Sequence, residues 1–185
     1  MALLAESLVE EWLNREGYFT IRGVKHGVGE MDLLAVRPQS EGVVVGWHVE
    51  VQVSFRPIGY IASRRTDDMI AESGGGRTSI RTRSREDVEG CAREWVKRKF
   101  LAPAKIQLRE RLWPGVDWSF HLVHGVARYP HELEIFRAER VTCHPFHELL
   151  TLLAQRRKHS FSGAAGGDLA EIVSYYKSHN EKPGT

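Results

Sequence analysis

Two stretches of the chain, MDLLAV at residues 31–36 and WHVEVQV at residues 47–53, set carboxylates inside apolar segments. Runs so rich in aliphatic and β-branched residues predict β-strands that are covered on both faces. Because side chains two apart on a strand share a face, Glu50 and Gln52 point one way and the alternating valines point into the core. A carboxylate in a buried strand is unfavourable unless it is paired or binds a metal. If the two strands are neighbours, Asp32 and Glu50 converge on one point, and the sequence predicts an acidic site there.

An acidic site of this kind suits Mg²⁺, which binds one or two carboxylates and keeps several of its waters. Asp32, Glu50 and the backbone carbonyl of Val51 would supply the ligands, with Mn²⁺ as an alternative ion. A metal bound there would lower the pKa of a bound water and neutralise charge on a phosphate during in-line attack. Gln52 lies on the same face as Glu50 and can orient that water, although it cannot supply a positive charge.

Elements predicted on either side of these strands give an α/β arrangement with a mixed sheet flanked by helices. Periodicity and composition predict, in order, a helix over 2–16, strands over 18–24, 30–37 and 43–55, helices over 86–101 and 104–112, strands over 118–127 and 133–136, and helices over 146–157 and 168–178. Ser84 is the expected N-cap of the helix that begins at residue 86. We expect one domain over 1–185, with a core over about 2–127 and a C-terminal helical extension over about 128–185.

Composition limits the class of protein. The chain has 185 residues and two cysteines, Cys91 and Cys143, which are too few for a disulfide framework or a cysteine-rich zinc site. No apolar run approaches the ~20 residues that cross a membrane, so we expect no membrane partner. The first 13 residues carry three glutamates and no basic residue, which argues against a secretory signal. A reducing cytoplasm fits these features best.

Charge is distributed unevenly along the chain. Residues 1–55 hold 4 Lys and Arg against 8 Asp and Glu, whereas residues 56–111 hold 14 against 8, a local net charge of +6. An acidic metal site followed by a basic segment is typical of an enzyme that acts on a polyanion such as DNA. The candidate phosphate contacts in and before this segment are Lys25, His26, Arg64, Arg65, Arg77, Arg81, Arg83 and Arg85. A solvated basic loop with no ligand explains the arginines equally well.

The two acidic strands together resemble the PD-(D/E)xK, or restriction-endonuclease-like, nuclease superfamily. The resemblance is carried by GEMDLLA at residues 29–35 and HVEVQ at residues 48–52. Glu6, followed by the pairs at 12–13 and 17–18, is similar to the helix that precedes the acidic strand in Holliday-junction-resolvase-like members. Residues 5–55 carry the likeness well, and the later helix and strand carry it loosely.

This resemblance implies a fold, a reaction and a role for each site residue. The implied core is αβββαβ, and the implied reaction is Mg²⁺-dependent hydrolysis of phosphodiester bonds in DNA, with RNA not excluded. Asp32 and Glu50 would bind the metal, Glu6 would be an auxiliary acid, and Gln52 would hold the position of the family lysine, a Glu-x-Gln variant found in some restriction enzymes. Nucleases that cut both strands often act as dimers, so a homodimer is a further expectation.

Plainer interpretations stand beside this one. In these, Asp32 is a buried acid paired with an arginine such as Arg22, and Glu50 and Gln52 lie on the exposed face of an edge strand. The glutamine at the lysine position also motivates an alternative function, a catalytically inactive module that kept the nuclease fold and binds nucleic acid or a protein.

Overall fold

A five-stranded mixed sheet lies at the centre of the structure, a computed structural model that describes residues 2–27, 29–54, 59–74, 83–155 and 164–180. The strands lie side by side in chain order: β1 (Phe19–His26), β2 (Gly29–Pro38), β3 (Val44–Gln52), β4 (Asp117–His124) and β5 (Val141–Pro145). β1, β2 and β3 are antiparallel neighbours, whereas β4 is parallel to β3 and β5 is parallel to β4. Parallel neighbours require a crossover connection, which helices provide here.

The helices are α1 (Ala2–Arg15), α2 (Asp67–Ser73), α3 (Arg85–Val96), α4 (Pro103–Leu112), α5 (His131–Ala138), α6 (Phe146–Leu153) and α7 (Ala164–Asn180), with a 3-10 turn at Ser40–Gly42. α3 continues into a wider π-type turn, Lys97–Leu101, and Pro103 then begins α4. Such π turns recur at functional positions in helices. Within the described residues, no helix is both long enough and apolar enough to span a bilayer.

Each face of the sheet has its own hydrophobic core. α1, α6 and α7 cover one face, where Leu13, Val51 and Leu149 are buried together. α3 and α5 cover the other face around Leu122 and Phe136. Because Val49 and Val51 of β3 belong to the first core, the alternate side chains of β3 face the helices of the second side.

The mixed α/β architecture and the order of elements through β4 confirm the prediction from the sequence. Ser84 caps α3 as expected, and its capping box is completed by Asp87. β3 ends at Gln52, short of the predicted end at residue 55.

Two predictions about the segment after β4 are wrong. The expected strand over 133–136 lies inside α5, because a four-residue apolar run has too little periodicity to distinguish a strand from a buried helix. The region beyond residue 127 is not purely helical, since β5 extends the sheet. α2 and β5 are too short and too polar to show in the sequence pattern.

Phe136 tests the placement of the second core. It is fully buried, and its ring lies 5.0 Å from that of Trp95 across the α3–α5 contact. We expect Phe136→Ala to lower the free energy of unfolding in urea by about 3–5 kcal/mol, because the lost ring leaves a cavity. Arg137→Ala, an exposed neighbour on the same helix, is the control and should change it by less than about 1 kcal/mol. Equal losses in the two variants would contradict this packing.

Candidate functional site

The strands β2 and β3 stop pairing at the point where the two carboxylates lie. Their ladder ends at the Leu33–Val49 pair, one residue before Asp32 and Glu50. Beyond this pair, a side-chain hydrogen bond takes the place of backbone pairing. Oδ2 of Asp32 accepts it from the backbone N–H of Val51 at 2.7 Å. The other carboxylate oxygen of Asp32 has no hydrogen-bond partner among the described residues. The arginine offered as an alternative partner, Arg22, instead contacts Glu10 at 3.3 Å.

Asp32 titrates far from its ordinary range. Burial raises its pKa to about 7, and the negative charge of Glu50 adds to this shift. The ammonium of Lys99 and the hydrogen bond from Val51 lower the pKa, but they do not cancel the increase. A buried acid that titrates near neutrality beside a second carboxylate is a common feature of functional sites, and a bound cation would favour its ionised form.

Glu50 is fully buried, yet it is compensated. Its Oε1 accepts hydrogen bonds from Nε2 of His48 at 3.1 Å and from Nζ of Lys105 at 3.0 Å, and its Oε2 accepts one from Nζ of Lys99. Burial alone would raise the pKa of Glu50, but the His48 hydrogen bond and the two ammonium groups lower it to about 2. Glu50 is therefore ionised at neutral pH. The alternative of an exposed edge strand is wrong, because β3 lies between β2 and β4.

Lys99 is the site residue that the motif search missed. It comes from the π-type turn after α3, 47 positions beyond Gln52, and its ammonium is bonded to Glu50. The side chain of Gln52 is partly exposed and makes no hydrogen bond among the described residues. The sequence did contain a signal, since Lys99 continues the buried stripe of α3, formed by Val88, Cys91, Ala92, Trp95 and Val96. A lysine on an apolar stripe implies a buried acid as its partner.

A second chain of contacts fixes Glu50 from behind. Arg109 of α4 is buried and donates from Nη1 to Nδ1 of His48 at 2.9 Å and to the carbonyl of Phe100 at 2.9 Å. Burial lowers the pKa of His48 to about 4, so this imidazole is neutral at pH 7. With Nδ1 accepting from an arginine, the ring proton must lie on Nε2, from which it is donated to Glu50. Arg109 thus selects the tautomer of His48 that supports the carboxylate.

Glu6 lies within the electrostatic field of the site. Partial burial raises its pKa, and the charges of Glu30 and Glu50 raise it further. It also contributes to the raised pKa of Asp32. The N-terminal part of α1 therefore contributes a third acid to the electrostatic surroundings of the two strand acids.

Two of the predicted phosphate contacts are engaged in holding the chain. Arg65 is buried and donates to the carbonyls of Met69 and Gly74 at 2.7 and 2.8 Å. Arg83 is buried and donates to the carbonyls of residues 62 and 63, both at 2.7 Å. Because these guanidinium donors are used by the backbone, we remove both residues from the candidate phosphate contacts.

Three other candidates are accessible. Lys25, Arg64 and Arg85 are exposed, and within the described part of the chain Arg85 forms one long ion pair, of 3.5 Å, with Glu89. The remaining candidates are Arg77, Arg81 and His26. The two arginines and the side chain of His26 lie outside what the structure describes.

The donor set for a metal consists of two strand carboxylates. Among the described residues, no three His, Cys, Asp or Glu side chains are grouped so that they could hold a metal ion. Asp32 offers an unpartnered oxygen, and Glu50 offers a carboxylate whose charge is balanced by lysines. Two carboxylates with waters suit Mg²⁺ or Mn²⁺ better than they suit Zn²⁺. Val51 lies between them, with its N–H bonded to Asp32.

Comparison with known proteins finds no family model and no curated protein that matches the chain. Among solved structures, the chain is similar to one described as a protein of unknown function, AF1548, at 11% sequence identity and a TM-score of 0.46. The alignment covers 96% of this chain and 67% of that one. A likeness this distant carries no argument about fold or function, so the function has to be inferred from the site itself.

The raised pKa of Asp32 predicts a pH-dependent gain from Asp32→Asn. In the wild type, the free energy of unfolding from this group is highest below pH 3.8 and falls as the pH rises toward 7, because the fold disfavours the ionised form. Asparagine stays neutral and can still accept from Val51. In metal-free buffer at pH 8 we expect Asp32→Asn to raise the free energy of unfolding by about 3–4 kcal/mol relative to its effect at pH 4, since each unit of pKa shift corresponds to about 1.4 kcal/mol.

Denaturant titrations at the two pH values measure this difference. Asp117→Asn, which changes an exposed acid at the start of β4, is the matched control and should show no such pH dependence. The same effect of Asp32→Asn at both pH values would contradict the raised pKa.

Proposed function

We propose that the protein is a divalent-metal-dependent nuclease that hydrolyses phosphodiester bonds in DNA. The observation that carries the proposal is a pair of carboxylates at the point where β2 and β3 separate, the partly buried Asp32 and the fully buried Glu50, with the ammonium of Lys99 on Glu50. The restriction-endonuclease-like pattern of the sequence agrees with this placement. Structural burial of two acids together has little value for stability, which favours a chemical role.

Asp32 and Glu50 would hold the ion, either Mg²⁺ or Mn²⁺. A cation there would lower the pKa of a bound water and neutralise charge on the phosphate. The residues that hold it are prepared for this, because the unpartnered oxygen of Asp32 and the like charge of Glu50 both favour a cation. The carbonyl of Val51 stays the third ligand in this proposal.

Lys99 would supply the positive charge that Gln52 lacks. The side chain of Lys99 is 21% exposed and its ammonium is bonded to Glu50. It is therefore accessible to a phosphate while it stays fixed to the acid of the site. Such a fixed cation stabilises the charge that develops on phosphate oxygens during attack. Gln52, which is partly exposed on the same strand face, would orient the attacking water. Glu6 would assist as the third acid.

The basic middle of the chain would bind the DNA backbone. Arg64 and Arg85 are its exposed members among the candidates, with Lys25 at the end of β1. Contacts of this kind fix the position of a nucleic acid without selecting its sequence. They are also sensitive to salt.

One observation favours the alternative of an inactive nuclease-fold module that binds nucleic acid or a protein. Glu50 is already neutralised by Lys99 and Lys105 without a metal. Calorimetry with Mn²⁺ separates the two functions, because a nuclease must bind the ion through Asp32. Salt-dependent DNA binding with no response to Mn²⁺ would support the inactive module.

Single-turnover cleavage of labelled DNA with Mg²⁺ or Mn²⁺, at saturating protein, tests the proposed roles. We expect Asp32→Asn to abolish cleavage while the protein remains folded. Lys99→Met should lower the rate by about a hundredfold or more, since it removes one charge from the transition state, and Lys99→Arg should restore part of it.

Arg111→Met is the control for loss of a basic residue, because Arg111 is exposed at the end of α4. It should leave the rate within about twofold of wild type. Cleavage that persists at the wild-type rate in Asp32→Asn would rule out this site as the catalytic centre. A homodimer and a cytoplasmic location stay expectations from the sequence.

A further inference from the structure

A cavity of about 770 Å³ lies beside the candidate site, between the segment that leads into α2 and the end of α3. Arg64 and Thr66 line one part of it, and Arg98, Leu101 and Pro103 line another. Its volume is within the range of pockets that take small ligands, roughly 300–1,000 Å³. Nothing in the roles proposed for Asp32, Glu50 and Lys99 uses this space.

Two guanidinium groups in this cavity have no counter-charge bonded to them. Neither Arg64 nor Arg98 makes a hydrogen bond or an ion pair among the described residues. Partial burial lowers the pKa of Arg98, and repulsion from Arg64 lowers it further, so the two groups are close enough to interact. Both side chains are exposed, so solvent screens this repulsion in part, and an anion bound between the two guanidinium groups would relieve the rest.

The acids of the cavity do not remove this excess. They are Asp67, Asp68 and Glu94, against four basic side chains, Arg64, Arg65, Lys97 and Arg98. Glu94 is bonded to Lys97 at 3.0 Å, and Arg65 is used by backbone carbonyls. An anion bound here would therefore meet Arg64 and Arg98 first.

The cavity and the candidate site are linked by neighbouring residues of the chain. Arg98 immediately precedes Lys99 in the π-type turn, and the charge of Glu50 acts on Arg98.

Part of the cavity wall is apolar. Leu101 is 42% exposed, and Ala102, Pro103 and the buried Trp95 lie in the same wall. A cationic pair beside an apolar surface matches a nucleotide, which has an anionic phosphate and a flat base.

We propose that this cavity binds one unpaired nucleotide of the substrate, with its phosphate between Arg64 and Arg98 and its base against Leu101 and Pro103. A base in a duplex cannot enter such a cavity, because it is stacked and paired on its strand. The substrate class is therefore nucleic acid with a single-stranded or frayed segment next to the bond that is cut. This inference rests on the proposed function for the position of that bond.

Fluorescence anisotropy in EDTA tests the cavity without any chemistry. The probes are a fluorescein-labelled oligothymidylate and a labelled blunt duplex of the same length, at one fixed salt concentration. We expect the single strand to bind the wild type more tightly, and Arg64→Ala and Arg98→Ala each to weaken that binding about fivefold or more. Leu101→Ser, which keeps the charge, should weaken the single strand and leave the duplex unchanged. Arg111→Ala is the charge-matched control and should shift neither affinity.

Two results would overturn the inference. One is single-strand binding that Arg64→Ala and Arg98→Ala leave unchanged, and the other is an equal loss for single strand and duplex. Cleavage measured separately with Mg²⁺ keeps the two proposals distinct. Cleavage that needs Asp32 while these arginines have no effect would retain the nuclease and remove the nucleotide cavity. Single-strand binding that needs Arg98 without any cleavage would retain the cavity and remove the nuclease.

Discussion

The carboxylate of Glu50, with no exposed surface in the middle of the sheet, imposes the constraint on which the arrangement of this side of the protein depends. A charge in that position has to be balanced within the protein, because water cannot reach it. The structure balances it with Lys99 from the turn after α3, Lys105 from α4, and the His48–Arg109 chain. Two segments, the turn after α3 and helix α4, are thereby held over β3, and their positions follow from one acid. Lys105 also donates to the carbonyl of Glu30 at 2.8 Å, which links α4 to β2.

The two strand acids are held in different protonation states by their surroundings. Glu50 has two ammonium groups and a histidine N–H, so its pKa falls to about 2, whereas Asp32 has one backbone N–H and a neighbouring negative charge, so its pKa rises to about 7. Separating the pKa values of two nearby acids is a general way to give them different roles. Here one acid is a permanent anion, and the other becomes an anion most readily when a cation is close. The raised pKa of Asp32 shows that this pair is poorly optimised for stability, and the proposed metal site rests on that feature.

In the proposed nuclease, the cation that the sequence pattern expects at the position of Gln52 is supplied by Lys99, which contacts the carboxylate of Glu50 from the turn after α3 instead of from the strand. The π-type turn matters to this, since it widens the helix where Lys99 and Phe100 lie and lets Phe100 pack at 4.9 Å from His48 while Lys99 meets Glu50. The neighbouring Arg98 is carried to the adjoining cavity by the same turn. The positions of Lys99 at Glu50 and of Arg98 in the cavity therefore both depend on the π-type turn.

Local pattern was sufficient for the first four strands, the first helix and the position of the two acids. Alternation in residues 47–53 decides which side chains face the core. An acid inside an apolar run can be recognised from the sequence, because its burial is unfavourable unless it is paired. Lys99 and Arg109 could not be assigned in this way, because their partners are about 50 to 60 residues away and a basic residue on a helix is usually solvated. The burial of Arg65 and Arg83 was likewise invisible, since their partners are backbone carbonyls that every residue possesses. Sequence alone determined where carboxylates would be forced together, and the tertiary structure decided which distant cations balance them, because that choice depends on distance in space.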